Sequence, residues 1–111
     1  MKNNFLMLMF LFLSAGAMAE AGPIKEQMKV EYIYSYDSVY IRFSSGAMPG
    51  CHGENSGRLY TANPLFNQLY SHILALSLVG EFKGQVVYTI SNPGSGQWSQ
   101  CAIQGLAVHP D

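Results

Sequence analysis

Catalytic chemistry in this chain would have to come from its three histidines and its scattered carboxylates. His52, His72 and His109 fall on a predicted loop, a predicted helix and the tail, and their spacing matches no catalytic motif. His52 and Glu54 offer two metal ligands, whereas protein metal sites normally use three or four. The sequence therefore predicts no catalytic site, no metal and no cofactor. An enzyme would require His52 and Glu54 to meet a third ligand in space.

Aromatic residues offer a different chemistry, which is ligand binding. Tyr32, Tyr34 and Tyr36 alternate along one predicted strand and so share a face, and Tyr40 follows across a turn. Trp98 follows a loop rich in Gly, Ser and Pro. Amphipathic rings suit the faces of sugars and the surfaces of proteins, so these five residues are the predicted ligand-binding set. The alternatives are that the tyrosines pack under the helix or as ordinary cross-strand pairs, and that Trp98 anchors the last strand.

Residues 1–19 have the three parts of a secretory signal peptide. Lys2 gives a positive start, Phe5 to Leu13 form an uninterrupted apolar run, and Ala17-Met18-Ala19 is a small-x-small cleavage site. The run is too short for a membrane-spanning helix, which needs about 20 apolar residues. We expect cleavage after Ala19, export to the periplasm or the extracellular space, and no membrane span in the mature chain.

The interpretation of the two cysteines depends on the predicted export. In an oxidising compartment an even number of cysteines in a small domain predicts a disulfide, here between Cys51 and Cys101. Closing a loop of about 50 residues stabilises a fold by roughly 4 kcal/mol through chain entropy. A reactive thiol would need a nearby base, and His52 points to the opposite face of an extended segment. A structural disulfide is therefore the prediction.

Strand patterns occupy most of the chain after a loose, flexible amino-terminal arm over 20–27, which shows no period. Alternating apolar and polar residues predict a hairpin between residues 28 and 44. Further strands are predicted over residues 58–61, 86–90 and 99–108.

One helix is predicted between the third and fourth strands. Asn63 suits its N-cap, Pro64 its first turn and Gly80 a left-handed stop. Its apolar residues recur at three- and four-residue steps: Phe66, Leu69, Ile73 and Leu76. Residues 28–109 are thus predicted to form a single disulfide-linked α+β domain. Its architecture is either a small OB-like barrel or a twisted antiparallel sheet of about five strands with one central α-helix.

Charge excludes one class of partner. The chain carries six Lys and Arg against seven Asp and Glu, and loss of Lys2 with the leader shifts the net charge from −1 to about −2. Non-specific nucleic-acid binding rests on clustered Lys and Arg that neutralise phosphates. No nucleic-acid partner is therefore expected.

The order of features over residues 28–108 resembles a known group of proteins. A leader, a hairpin and the Cys51 loop come first. Three segments follow: a helix with Asn63-Pro-Leu-Phe-Asn-Gln-Leu-Tyr70, a Gly84-Gln-Val-Val87 strand and a closing strand with Cys101-Ala-Ile103. This series is similar to the B subunits of pentameric bacterial toxins, especially the subtilase-cytotoxin type. The resemblance implies an OB-fold that binds glycans, assembles into rings and catalyses nothing. Those subunits place Ser and Asp of their sugar pocket before the first strand, where residues 22–27 of this chain contain neither, so no sugar-binding residue is carried over.

The predicted function is that of an exported, non-catalytic binding domain for a glycan or a protein partner. Exposed strand edges and a tyrosine-rich face also make a homo-oligomer physically reasonable. The alternative is a periplasmic inhibitor or immunity-type protein that fills the cleft of an enzyme, which small size, mild acidity and a disulfide would suit equally.

Overall fold

The computed structural model describes residues 19–91 and 93–110, so the predicted leader lies outside the described residues apart from Ala19. The described part of the chain contains seven strands: β1 (Glu20–Ala21), β2 (Lys25–Met28), β3 (Val30–Ser35), β4 (Val39–Phe43), β5 (Ser56–Leu59), β6 (Phe82–Ile90) and β7 (Cys101–Val108). One α-helix, α1 (Phe66–Val79), separates β5 from β6, and a 3₁₀ turn over Trp98–Gln100 precedes β7. Among these residues no helix has the length and apolar character needed to cross a membrane.

All seven strands belong to one sheet with the order β1-β6-β7-β5-β4-β3, and β2 also pairs with β6. Neighbours are antiparallel except β5 and β7, which meet in parallel at Arg58 and Ala102. The parallel pair arises because β7 returns antiparallel to β6 and inserts between β6 and β5. The α+β class is confirmed. The predicted OB-like barrel, or antiparallel sheet of about five strands, is corrected to a mixed sheet of seven strands that does not close.

Residues 20–27, which the sequence predicts as a loose arm, supply β1 and most of β2 along the edge of β6. Glu20 lies opposite Tyr88, and the Gly22 amide donates a hydrogen bond to the Val86 carbonyl over 2.8 Å. The side chains of β1 and β2 are mostly exposed, and strands this short carry no apolar alternation. That is why no period marks them in the sequence.

Gly22 lies where this edge packs tightly against the loop that contains Ala47, and a substitution there tests the placement of the edge. A Cβ atom at Gly22 would collide with the Ala47 carbonyl oxygen, whereas one at Gly105 in β7 would meet Val87 at ordinary van der Waals distance. We therefore expect Gly22→Ala to lower the free energy of unfolding by about 1–3 kcal/mol, the usual cost of overpacking. The matched control Gly105→Ala should lower it far less. Urea denaturation compares the two, and equal losses would contradict the placement of this edge.

A β-bulge at Glu31 decides which side chains of β3 face the core. Val30 lies opposite Phe43 while Tyr32 lies opposite Arg42, so β3 carries one extra residue between these pairs. Val30 and Phe43 are buried, whereas Tyr32 is exposed. Simple alternation would place Val30 on the same face as Tyr32, and the bulge separates them.

Helix α1 joins the buried cluster through the stripe that its spacing predicts: Leu69, Ile73 and Leu76. It begins at Phe66, later than predicted, because Asn63 closes a turn in which its side chain accepts a hydrogen bond from the Leu65 amide over 2.8 Å. It ends at Val79, and Gly80 follows with φ 95° and ψ −120°, a positive φ that favours glycine but lies outside the left-handed helical conformation that the sequence predicts.

The core lies between the inner face of the sheet, α1 and the loop that joins β4 to β5. Large and fully buried side chains come from all three parts: Ile41, Phe43, Met48, Leu59, Ile73 and Ile103. The predicted disulfide is confirmed: Cys51 and Cys101, with Cα atoms 5.6 Å apart, tie the loop to the first residue of β7. Both residues are buried, so the bond is part of the core.

Candidate functional site

The outer face of β3 and β4 carries the predicted tyrosines. Because the hairpin alternates after its bulge, Tyr32, Tyr34 and Tyr40 point away from the core, and Tyr34 lies directly opposite Tyr40. Tyr32 and Tyr34 are 44% and 46% exposed, and Tyr36, just after β3, is 83% exposed. The tyrosine stripe is therefore a surface and does not pack under the helix, while Tyr34 and Tyr40 do form a cross-strand pair, as the other alternative predicts.

Trp98 reaches the same face from a distant part of the chain. The 3₁₀ turn that contains it lies against β5. The Trp98 ring centroid is 5.8 Å from that of Tyr32 and 5.9 Å from that of Tyr40, and both contacts are edge-on at 71°. This geometry is one that aromatic pairs prefer. Tertiary structure thus brings all five predicted residues together.

These rings enclose an open groove of about 500 Å³, which we call the aromatic groove. Its lining consists of the five predicted residues and one carboxylate: Tyr32, Tyr34, Tyr36, Asp37, Tyr40 and Trp98. Ligand sites in proteins are typically clefts of about 300–1,000 Å³ with apolar and aromatic walls and a few polar groups. The aromatic groove has that size and that composition.

The Trp98 side of the groove is held by the disulfide loop. His52 Nδ1 lies 2.8 Å from the Gly96 carbonyl oxygen, which can only accept, so Nδ1 carries the proton. The Gln100 side chain accepts a hydrogen bond from the Gly96 amide and donates one to the Gly50 carbonyl. The His52 ring also lies 5.7 Å from the Trp98 ring. Trp98 is therefore positioned by residues next to Cys51 in sequence.

Arg58 on β5 supports the tyrosines from beside the groove. It lies opposite Tyr40, and its guanidinium carbon is 5.4 Å from the Tyr40 centroid and 4.4 Å from the Tyr60 centroid. Both distances are within the cation–π range. Its Nη2 atom lies 3.7 Å from Asp37 Oδ2. Arg58 thus connects the rings to the carboxylate of the groove.

A second arginine occupies the other end of the outer face. The Arg42 guanidinium carbon lies 5.0 Å from the Tyr32 centroid, and its Nε lies 3.9 Å from Glu31 Oε1. Two arginines therefore border the groove, and each has a carboxylate as its partner. The formal charges of these four groups cancel.

The Tyr40 hydroxyl fixes Asp37 in the groove wall. It donates a hydrogen bond to Asp37 Oδ1 over 2.9 Å. This bond, and after it desolvation, raises the pKa of Tyr40 above its ordinary value of 10, while the Arg58 charge opposes the rise. Tyr40 remains protonated at neutral pH, and the Asp37 carboxylate keeps lone pairs that can accept from a ligand.

Tyr88 of β6 binds the disulfide loop from within the core, and its titration makes the stability of the fold depend on pH. It is 2% exposed, and its hydroxyl donates to the Pro49 carbonyl over 2.7 Å. Burial, and after it the charges of Glu20 and Glu54, raise the pKa of Tyr88 above 10. The unfolded phenol loses its proton at about pH 10, while the folded one keeps it to higher pH. The stabilisation is therefore complete below the unfolded pKa and is lost as the pH rises through the folded pKa.

We therefore expect the free energy of unfolding to fall above about pH 10, by at most about 1.4 kcal/mol per pH unit for this one phenol. Tyr88→Phe removes the titrating group, so its free energy of unfolding should fall less steeply with pH than that of the parent protein. Urea denaturation at several alkaline pH values measures both slopes. Identical slopes would contradict the role given to Tyr88.

The residues considered for catalysis are engaged in structure or lie apart. The Glu54 carboxylate accepts a hydrogen bond from the Gly50 amide over 2.6 Å and so closes the disulfide loop. His52 packs behind Trp98, His72 lies on α1, and His109 follows β7. Within residues 19–91 and 93–110, no three His, Cys, Asp or Glu side chains lie close enough together to hold a metal ion.

One residue that lines the groove, Asp37, and three that lie beside it are absent from the predicted set: Arg42, Arg58 and His52. Arg42 follows Tyr40 by two positions on the same strand, so alternation marks it as a member of the tyrosine face. Asp37 follows Tyr36 directly, but its turn position is equally typical of any hairpin. Arg58 and His52 join the site through strand register and the disulfide, which no local pattern reveals.

No model of a known protein family, no curated protein and no solved structure matches this chain. The fold and the site define a small, disulfide-linked α+β domain that presents an aromatic groove on the outer face of its sheet.

Proposed function

We propose that the protein is an exported, non-catalytic binding domain whose aromatic groove takes a glycan. The proposal rests on the contact between Trp98 and the tyrosine stripe. These residues are far apart in sequence, and together they line one groove of about 500 Å³. The signal-peptide features of residues 1–19 and the disulfide support export.

The chemistry of the groove suits a sugar. A pyranose ring has flat faces of C–H groups and an edge of hydroxyls, so it can lie against an aromatic ring while its edge forms hydrogen bonds. Tyrosine and tryptophan present an apolar face together with a polar tip. The Asp37 carboxylate adds an acceptor and Arg58 adds donors beside Tyr40. Recognition of a polyol needs this combination of apolar faces and a few polar groups.

The resemblance to toxin B subunits adds ring assembly to the proposal. The two strands that end the sheet, β1 and β3, offer edges through which copies of the chain would associate. The sheet is open where an OB barrel would close, so the support for glycan binding comes from the groove itself.

A protein partner is the second candidate for the same surface. Tyr, Trp and Arg are the residues most enriched at the energetic centres of protein interfaces, and the groove combines four tyrosines, Trp98 and two bordering arginines. An inhibitor or immunity-type protein would use this face to fill the cleft of an enzyme.

A glycan array probed with the purified protein tests the first proposal. We expect binding to a defined set of glycans, and we expect Tyr34→Ala to weaken it about tenfold or more, since Tyr34 lies between two other rings of the groove. Leu78→Ala is the matched control, because Leu78 is 88% exposed on α1 and contributes nothing to the groove lining. If no glycan is bound, the sugar proposal fails and the protein-partner candidate takes its place.

A further inference from the structure

The rings of the aromatic groove form a row and not a closed cage. Tyr36 stacks on Tyr34 with centroids 6.4 Å apart and planes at 18°. Tyr34 lies 5.9 Å from Tyr40, and Tyr40 lies 5.9 Å from Trp98. The row therefore runs from Tyr36, in the turn after β3, to Trp98 in the 3₁₀ turn before β7, where Tyr32 joins it with its centroid 5.8 Å from that of Trp98.

The two ends of the row differ in shape. At one end, Trp98 meets Tyr32 and Tyr40 edge-on and forms a corner. At the other, Tyr34 and Tyr36 form a nearly parallel pair whose outer member, Tyr36, is exposed, and we call this pair the Tyr34–Tyr36 platform. A corner can enclose one sugar ring, while an open platform can only support a ring that is already held elsewhere. The spacing between neighbouring rings is close to the length of one pyranose unit in a linear chain.

The charges around the row favour an uncharged ligand. Asp37 is 3.7 Å from Arg58, and Glu31 is 3.9 Å from Arg42. An acidic sugar would have to compete with these carboxylates for the arginines, and a cationic ligand would meet two guanidinium groups beside the rings. A neutral polyol can use the donors and acceptors without breaking either pair.

We infer that the aromatic groove binds a neutral, linear oligosaccharide laid along the ring row, with one unit in the Trp98 corner and later units on the Tyr34–Tyr36 platform. This inference rests on the proposed glycan-binding function and adds chain length and charge to it. A groove of about 500 Å³ is larger than a single hexose needs.

Affinity measured against chain length tests the inference. The probes are β-1,4-linked glucose, N-acetylglucosamine and galactose, each as the monosaccharide, the disaccharide and the tetrasaccharide, measured by isothermal titration calorimetry. In the series that binds, we expect the tetrasaccharide to bind about tenfold or more tightly than the monosaccharide. Tyr36→Ala should remove most of this gain, while the control Leu78→Ala retains it. The same tetrasaccharide with its C6 hydroxymethyl groups oxidised to carboxylates should bind about tenfold more weakly than the neutral one.

The outcomes separate the inference from the function on which it rests. Equal affinity for the monosaccharide and the tetrasaccharide would overturn the extended mode and leave glycan binding intact. Binding of the oxidised tetrasaccharide that is as tight as that of the neutral one, or tighter, would overturn the neutral class. Absence of binding to every sugar, including those of the array, would overturn both proposals. Because Tyr36 is 83% exposed, its replacement should leave the thermal unfolding midpoint unchanged, which shows that the variant is folded.

Discussion

Replacement of Cys51 and Cys101 together by serine is expected to lower the free energy of unfolding by about 4 kcal/mol, because the bond closes a loop between residues 50 positions apart. A domain of this size is stable by only about 5–15 kcal/mol in total. The melting temperature should fall by roughly 15–30 °C. The effect should extend to the groove, since Gly50 and His52 flank Cys51 and hold the Trp98 segment.

Urea denaturation of the double variant measures the stability loss, and a double change leaves no free thiol to react. Wild-type protein kept reduced by a phosphine, without alkylation, is the control, and it should lose a similar amount. A loss below about 1 kcal/mol would contradict the view that the disulfide stabilises this small domain.

Replacement of Trp98 by alanine is expected to have the largest effect on ligand binding. The ring touches Tyr32, Tyr40 and His52, so its removal takes away one wall of the groove and leaves the two tyrosines without their edge-on partner. Tryptophan is among the residues whose truncation in a binding site most often costs about 2 kcal/mol or more, which is roughly thirty-fold in Kd.

Calorimetry with the glycan that the array identifies gives the Kd of Trp98→Ala. Trp98→Phe, which keeps a ring at the same position, is the matched variant and should lose less than about tenfold. If the alanine variant remains folded and binds as tightly as the parent, the ligand does not lie in the aromatic groove.

Helix α1 and the β3–β4 hairpin could be predicted because both depend on local periodicity. The stripe of Leu69, Ile73 and Leu76 needs only helical spacing, and the shared face of Tyr32 and Tyr34 needs only alternation. The disulfide followed from the count of cysteines and the predicted compartment. The helix and the hairpin can be predicted from neighbouring residues alone, and the disulfide from the number of cysteines.

Features set by distant residues could not be predicted. β1 and β2 are too short and too exposed to show a pattern, and their place along β6 depends on backbone hydrogen bonds such as that of Gly22. The bulge at Glu31 moves Val30 to the core without any local signal in residue type. The position of Trp98 over the tyrosines depends on the disulfide loop, which no local pattern reveals. The sequence is therefore compatible with two roles for this ring, ligand binding and anchoring of the last strand.

Whether a sugar lies in the aromatic groove can be measured by a fluorescence titration, because Trp98 is the chain's one tryptophan and lines the groove. Cellotetraose, chitotetraose and β-1,4-galactotetraose are added in turn, and emission is compared with the binding curve from calorimetry. We predict that the tetrasaccharide that binds changes the Trp98 emission in a saturable way, with the same midpoint as calorimetry. Binding by calorimetry with no change in emission would place the sugar elsewhere and contradict the account.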